Sequence, residues 1–219
     1  MSILIDAQPR MLLDCSPHTV YSLRRLGYTP ADVQYLLVTH LHGDHAGGIP
    51  YLILSLLYKE KGTIVASGPP GLEQFAYTTF RQFFDASDPR SVFIVREPGA
   101  EFPFRVTRRE ARHAVPGYMY RLEVNDKVIV YTGDTGPLDL RGFADGADYL
   151  IHEAAELDEK SAALHGHSTP WQAAQVAKEC GVKQLVLVHT PELDRLTVKR
   201  VREVFPRVEI PKDFDWFRL

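Results

Sequence analysis

The segment from Thr39 to Gly48 constrains this chain more than any other. It directly follows the apolar, strand-like run Tyr35 to Val38, and it places three imidazoles and one carboxylate within six positions: His40, His42, Asp44 and His45. Alternate residues at the end of a strand point the same way, so the first two histidines can bind one cation. A turn at Gly43 would direct the carboxylate and the third histidine toward a second cation. The segment therefore predicts a site for two metal ions.

The ligand types narrow the choice of metal. Histidine and carboxylate suit Zn²⁺ best and are also accepted by Mn²⁺ and Fe²⁺, because the segment holds no thiolate that would force a softer choice. We therefore expect two divalent metal ions as cofactors, with Zn²⁺ as the first choice and Mn²⁺ or Fe²⁺ as alternatives. The other interpretation is a surface loop that is rich in histidine by chance.

Three more candidate ligands follow strand-like runs further along the chain. His113 comes after Arg105 to Glu110, Asp134 comes after Val128 to Thr132, and His189 comes after the apolar residues 185–188. Each is a polar side chain that a rigid element delivers to one edge of a fold, as precise sites require. Taken alone, each histidine could be structural and the Gly-Asp pair could be a turn. Their order along the chain sets them apart.

That order is His-x-His-x-Asp-His, then His, then Asp, then His, and it resembles the metallo-beta-lactamase superfamily. The resemblance implies an α/β (α+β) fold, a four-layer αββα sandwich in which two sheets face each other and helices cover the outer sides. It implies two metal sites, one formed by His40, His42 and His113, the other by Asp44, His45 and His189, with Asp134 shared by both. It also implies that a hydroxide shared between the ions is the nucleophile. Asp44 would act as a catalytic residue that relays a proton.

Three features resemble the phosphodiesterase branch of this superfamily that includes ribonuclease Z. They are Gly43 inside the histidine segment, an aromatic residue and a Tyr-Arg strand soon after His113, and Ile151-His152-Glu153-Ala154 followed by His167-Ser168-Thr169. The resemblance implies two further catalytic residues, His167 to stabilise the scissile phosphate and Glu153 to orient that histidine. Thr169 has a second explanation, because it begins a good helix start with Pro170 and can form a capping box with Gln172. Capping does not account for His167.

Other features depart from ribonuclease Z. Only twenty residues separate His113 from Asp134, which leaves no room there for the long arm that grips tRNA in many family members. Ala155 replaces a threonine of the branch, and the residues after His189 differ from the usual ending. We therefore expect a small, cyclic or short single-stranded phosphodiester as substrate and not a folded tRNA. Because the chain begins shortly before Leu12 to Ser16, one or two N-terminal edge strands of the family pattern are expected to be missing, or the start to be late.

Two other functions stay open at this point. A hydrolase of lactones, thioesters or beta-lactams would use the same hydroxide on a carbonyl carbon, and a hydrophobic pocket without basic residues would favour it. A non-catalytic, metal-dependent interaction protein would use the site only for structure. Four arginines precede His113: Arg105, Arg108, Arg109 and Arg112. If they attract phosphate, they favour a phosphodiesterase. The alternative is that they form a solvated strand face.

Composition predicts a single domain over residues 1–219. The 219 residues are 45% apolar, and no linker, repeat or low-complexity tract divides them. The N-terminus lacks a basic and then apolar leader, and the longest apolar run is too short to span a bilayer, so we expect a cytoplasmic protein with no membrane partner. The net charge of −3 provides no global attraction for nucleic acid. Cys15 and Cys180 are expected to be small buried residues; their wide separation argues against a disulfide framework, and a single bridge stays open.

Hydrophobic periodicity predicts strands and helices that are mixed throughout the chain. The strand-like runs are Arg10 to Asp14, Tyr35 to Val38, Thr63 to Ser67, Val92 to Val95, Arg105 to Glu110, Tyr118 to Val124, Val128 to Thr132, Tyr149 to His152 and Gln184 to Val188. The helix-like runs are Gly48 to Lys59, Gly71 to Phe84, Pro170 to Cys180 and Thr197 to Val204. Phe80, Phe83 and Phe84 could form homodimer contacts, or they could form the buried face of their helix.

Overall fold

The computed structural model describes residues 1–84, 88–96 and 102–216. Two compact units divide the chain, Met1–Pro103 and Phe104–Leu219, and each is built around a sheet of its own. Both sheets are mixed and carry helices, so the α/β class is confirmed. The single domain over residues 1–219 stays a prediction.

The first unit contains a five-stranded sheet with the order β1-β2-β3-β4-β5. β1 pairs antiparallel with β2, and the other neighbours are parallel. The strands are β1 (Ile3–Ile5), β2 (Met11–Leu13), β3 (Tyr35–Leu37), β4 (Ile64–Ser67) and β5 (Phe93–Val95). The helices are α1 (Thr19–Arg25), α2 (Gly43–Ala46), α3 (Ile49–Tyr58) and α4 (Leu72–Phe83). Connections from one parallel strand to the next therefore run through helices, as parallel pairing requires.

Apolar residues at helical spacing explain how this unit packs. Leu52, Ile53 and Leu56 of α3 are buried in one core cluster with Leu36 of β3. Such a stripe at intervals of three and four residues is what drives a helix onto a sheet. Phe80 of α4 is also fully buried in this cluster, and therefore its helix-face explanation is confirmed.

The other two aromatic residues of that prediction differ from Phe80 in exposure. Phe83 is 54% exposed, and Phe84 is half-buried and packs against the core. The homodimer itself stays a prediction.

The second unit contains a six-stranded sheet with the order β11-β10-β9-β8-β7-β6. β6, β7 and β8 pair antiparallel, whereas β8 to β11 are parallel. The strands are β6 (Arg105–Glu110), β7 (Tyr118–Val124), β8 (Lys127–Tyr131), β9 (Tyr149–Glu153), β10 (Gln184–Val188) and β11 (Val208–Glu209). The helices are α5 (Glu159–His165), α6 (Pro170–Glu179) and α7 (Arg195–Val204). Asn125 and Asp126 join β7 to β8 with φ of 50° and 59°, the backbone that a tight two-residue hairpin needs.

All nine predicted strands and all four predicted helices are present, and three strands have the predicted bounds. The periodicity did not predict β1, β11, α1, α2 or α5. These elements are short, so they offer too few repeats for a period to be recognised. Whether edge strands of the family pattern are missing stays a prediction.

Both cysteines are buried, as predicted. Cys15 and Cys180 are free and buried. Burial raises the pKa of the Cys15 thiol to about 12 and that of Cys180 to about 11, so neither sulfur is a ready nucleophile. No helix in the described part of the chain is long and apolar enough to cross a membrane. The cytoplasmic location stays a prediction.

Asp148, just before β9, should make the stability of the second unit depend on pH. Its carboxylate accepts hydrogen bonds from Lys183 Nζ at 2.8 Å and from the backbone N–H of Val128 at 2.9 Å. These bonds, the lysine bond first, lower the pKa of Asp148 below its ordinary value. The stabilisation is therefore present above the unfolded-state pKa and is lost as pH falls through the lower folded-state pKa.

We expect Asp148→Asn to lower the free energy of unfolding at pH 7 by about 1 to 2 kcal/mol. The difference from the wild type should shrink as pH falls through that range. Urea unfolding at a series of pH values measures it, with the exposed Asp213→Asn as the matched control. A difference that does not change with pH would contradict this account of Asp148.

Candidate active site

The histidine segment forms one cluster in the first unit. His40 lies three residues beyond β3 and is buried, and His42 immediately precedes α2. The Nε2 atom of His40 lies 3.1 Å from Nδ1 of His42, and the His40 and His45 ring centroids are 4.2 Å apart. Asp44 is 55% exposed, with its Oδ2 atom 3.4 Å from Nε2 of the fully buried His45. The four candidate ligands on this segment therefore come together.

Asp14 supports this cluster, and the sequence reasoning missed it. Its side chain is fully buried directly after β2 and has φ of 61°, an unusual backbone conformation for aspartate. It accepts hydrogen bonds from Nδ1 of His45 at 2.8 Å and from the backbone N–H of Thr39 at 2.6 Å. With Nδ1 donating to this carboxylate, Nε2 is the ring atom that can bind a metal. In the sequence, the signal that could have identified Asp14 is a carboxylate directly after an apolar, strand-like run.

Gly48 allows the loop after β2 to pack against the histidine segment. Its N–H donates to the carbonyl of Cys15 at 2.8 Å, and the N–H of Cys15 donates to the carbonyl of His45 at 2.6 Å. A Cβ atom at position 48 would lie 2.0 Å from the carbonyl oxygen of Ser16. Only glycine fits so close an approach of two backbones.

In the second unit, strand ends bring the other three candidate ligands together. Asp134 follows β8 and is 3% exposed, and its Oδ1 atom lies 3.2 Å from Nδ1 of His189. His113, which follows β6, offers a ring nitrogen within 4.8 Å of a carboxylate oxygen of Asp134. His189, which follows β10, has φ of 50°. Backbone strain of this kind is often found where a side chain is held for function.

The ring of His113 is oriented by a backbone carbonyl. Its Nδ1 atom donates to the carbonyl oxygen of Gly166 at 2.9 Å, and so Nε2 is the atom available as a ligand. Gly166 ends α5 with φ of 72°, and a Cβ atom there would lie 3.2 Å from the Cα atom of His113. The sequence reasoning did not single out Gly166.

Glu153, at the end of β9, forms a hydrogen-bonded pair with the partly buried His167. Glu153 is fully buried, and its Oε1 atom accepts hydrogen bonds from His167 Nδ1 at 3.0 Å and from the N–H groups of Thr135 and Ser168. Its Oε2 atom accepts from the N–H of Ala155 at 2.9 Å. The hydrogen bond to Glu153 raises the pKa of His167, and partial burial opposes that rise. Glu153 therefore holds the ring of His167 in one orientation.

His167 lies beside the candidate ligands of its own unit. Its ring centroid is 5.0 Å from that of His113 and 5.8 Å from that of His189. Two residues later, Thr169 caps α6 and forms the predicted capping box with Gln172. Capping thus explains Thr169, while His167 lies outside the helix with 17% of its side chain exposed.

The arginines before His113 do not form a single patch. Successive residues of β6 alternate between the two sides of the sheet. Arg105 pairs with Glu123 at 3.6 Å, and the guanidinium of Arg108 lies over the ring of Tyr118 at 4.6 Å. The backbone of Arg112 bonds to the loop after Asp134, through Thr135 and Gly136. The structure therefore favours the solvated strand face.

Comparison with known proteins identifies the family of this chain. A family model described as a beta-lactamase superfamily domain matches residues 3–190. This chain belongs to the beta-lactamase superfamily. Curated relatives place it in the ribonuclease Z-like branch, which consists of metal-dependent hydrolases. The chain is 28% identical to the ribonuclease Z of Methanothermobacter thermautotrophicus, over 92% of this chain and 85% of that protein.

Solved structures show the same superfamily fold. Human tRNase Z, short form, has a TM-score of 0.80 and 26% identity over 98% of this chain and 90% of its own. The metallo-beta-lactamase fold protein YhfI of Bacillus subtilis also has a TM-score of 0.80, with 24% identity over 97% of this chain and 89% of its own. The predicted fold class is thereby confirmed.

The residues of this superfamily member fit divalent metal ions. All the candidate ligand atoms are imidazole nitrogens or carboxylate oxygens, the donors that Zn²⁺, Mn²⁺ and Fe²⁺ share. His45 and His113 each donate Nδ1–H to an oxygen, which fixes the ring and increases the basicity of Nε2. This outer support is typical of histidines that bind metal.

Gly166→Ala should lower the affinity of this chain for Zn²⁺, because it disturbs the ring of His113. An alanine methyl group would press on His113 at 3.2 to 3.3 Å and strain a backbone with φ of 72°. Loss of such outer support costs about 10- to 100-fold in metal affinity or activity. The Kd for Zn²⁺, from competition with a chromophoric chelator, measures the effect. Gly142→Ala is the matched control, since it has φ of 78° and no atom within 4 Å of a Cβ. An equal loss in both variants would contradict the role of His113.

Proposed function

We propose that this chain is a phosphodiesterase of the ribonuclease Z-like type that uses two divalent metal ions, with Zn²⁺ as the first choice. The residues that would hold the ions are His40, His42, Asp44 and His45 of the first unit, with His113, Asp134 and His189 of the second. When bound, the ions supply positive charge for the phosphate oxygens and lower the pKa of water to near neutrality. The observation that carries the proposal is the hydrogen bond from His167 to the buried Glu153, next to candidate ligands.

That pair performs the part of the chemistry that the chain itself supplies. Glu153 holds Nδ1 of His167, so the ring presents Nε2 toward the substrate. A protonated imidazole there can donate a hydrogen bond to a phosphate oxygen as negative charge develops, and Glu153 favours that protonated form. Asp44 has the exposure needed to take a proton from the attacking water, because over half of its side chain is accessible.

Insertions that ribonuclease Z has and this chain lacks bear on the size of the substrate. The alignment with the Methanothermobacter ribonuclease Z runs over 264 positions, more than the 219 residues of this chain, so that relative carries insertions which this chain lacks. The short connection between His113 and Asp134 is consistent with the absence of a tRNA-gripping arm. We therefore favour a small, cyclic or short single-stranded phosphodiester and not a folded tRNA.

The test of this function is hydrolysis of bis(p-nitrophenyl) phosphate by protein reconstituted with Zn²⁺ or Mn²⁺. We expect turnover that disappears with a chelator and returns when the metal is restored. Turnover of lactones or thioesters without turnover of phosphodiesters by folded, metal-loaded protein would overturn the proposal. It would favour the carbonyl hydrolase instead.

A further inference from the structure

A basic groove runs along α7 on the surface of the second unit. It has a volume of about 460 Å³, and its lining comprises Leu193, Arg195, Val198, Lys199, Arg202 and Glu203. Arg195, Lys199 and Arg202 follow each other at intervals of four and three residues, so they form one stripe on the helix. We propose that this α7 groove binds the backbone phosphates of a single-stranded nucleic acid substrate. The proposal rests on the proposed phosphodiesterase function.

The charge of α7 contrasts with the rest of the molecule. The chain as a whole has a net charge of −3, yet residues 195–202 contain four cations and no acid. Like charges three and four residues apart destabilise an isolated helix. Glu203 offers partial compensation at one end, with its Oε1 atom 4.0 Å from Lys199 Nζ. Within residues 1–84, 88–96 and 102–216, neither Arg195 nor Arg202 forms an ion pair.

Arg200, the fourth cation of this helix, makes a different contact. The guanidinium of Arg200 lies 5.3 Å from the ring centroid of Trp171, which in turn donates to Glu159 at 2.9 Å. Arg200 therefore packs within the unit, and the other three cations line the groove. Val198 and Leu193 provide an apolar floor between these charges. Charges with an apolar surface between them suit a single strand, which presents phosphates together with riboses and bases.

The chain itself keeps the groove close to the candidate ligands. His189 and Arg195 are six residues apart, so their Cα atoms can be separated by no more than about 22 Å. A strand cleaved near His189 would therefore place phosphates a few nucleotides away within reach of α7. Small phosphodiesters would not reach that far.

Salt dependence of binding is the direct test. The probe is a fluorescein-labelled phosphorothioate oligo-uridylate of about 12 nucleotides, which resists hydrolysis and spans a typical single-strand site. Fluorescence anisotropy with Zn²⁺-loaded protein measures the Kd at several salt concentrations. Removing three cations that each contact a phosphate should make the slope of log K against log salt shallower by about 2. We therefore expect this change in the triple variant Arg195→Gln, Lys199→Gln, Arg202→Gln.

A matched variant separates the groove from general charge. Lys61→Gln, Lys178→Gln, Lys212→Gln removes the same charge from exposed positions elsewhere, and its slope should equal that of the wild type. Equal slopes in the two triple variants would overturn the proposal. So would binding to phosphatidylserine vesicles without binding to the oligonucleotide, because a basic helix can also meet a lipid surface. Failure of bis(p-nitrophenyl) phosphate turnover would count against the catalytic proposal alone, since this assay measures binding.

Discussion

Replacing Asp134 by alanine is expected to abolish hydrolysis of bis(p-nitrophenyl) phosphate, with a loss in kcat of about 10³-fold or more. Asp134 is buried, its Oδ1 atom lies 3.2 Å from His189, and it also lies within ligand distance of His113. The resemblance to the superfamily implies that both metal ions would share this carboxylate, so its removal would take a ligand from each. The positive charge that the metal ions would supply to the phosphate oxygens would then be lost or reduced.

The measurement combines turnover with metal content. Asp134→Ala should stay folded by circular dichroism and bind less metal than the wild type after equal reconstitution. Asp213→Ala removes an exposed carboxylate far along the chain and serves as the matched control. Full turnover in folded Asp134→Ala would show that the residue does not belong to the catalytic centre.

The second large effect is expected at His167. Replacing it by alanine should lower kcat by about 10² to 10³-fold and change KM little, because its charge is used mainly in the transition state. Glu153→Gln should lower kcat as well. A glutamine amide keeps one uncharged acceptor oxygen for Nδ1 of His167, but its NH2 group cannot accept from the N–H of Ala155. Without the negative charge, the protonated ring of His167 is held and stabilised less well.

A double-mutant cycle distinguishes positioning from independent catalysis. If Glu153 acts through His167, the double variant His167→Ala, Glu153→Gln should be no slower than His167→Ala alone. Thr169→Ala is the control for damage to the neighbouring helix start, and it should cost about 1 kcal/mol of stability without changing kcat. Additive losses in the cycle would contradict the positioning role.

The sequence predicted strands that combine length with a clear apolar pattern. Residues 184–188 are apolar at four of five positions and lie inside the second sheet, and β10 has the predicted bounds. β1 and β11 were missed because strands of three and two residues carry no period. The pairing of β11 also depends on a strand remote in sequence, since Val208 pairs with Leu185 of β10. Edge strands of this kind are defined by tertiary contacts more than by local preference.

In the candidate site, too, residues in a local sequence pattern were predicted and residues that act through long-range contacts were missed. His40, His42 and His45 were found because ligand types are dense on one segment. Asp14 and Gly166 were missed because they act through contacts that span tens of residues, to His45 and His113 respectively. A lone buried carboxylate or a carbonyl oxygen leaves no local pattern, so only the folded structure reveals these supports.

The central claim is that two metal ions act together, and metal stoichiometry tests it most directly. Protein reconstituted with Zn²⁺, freed of excess ion and analysed by mass spectrometry for metal per chain should bind two ions. Turnover of bis(p-nitrophenyl) phosphate should rise in step with the second. Binding of a single ion with full turnover, or turnover in protein stripped of metal, would contradict the account.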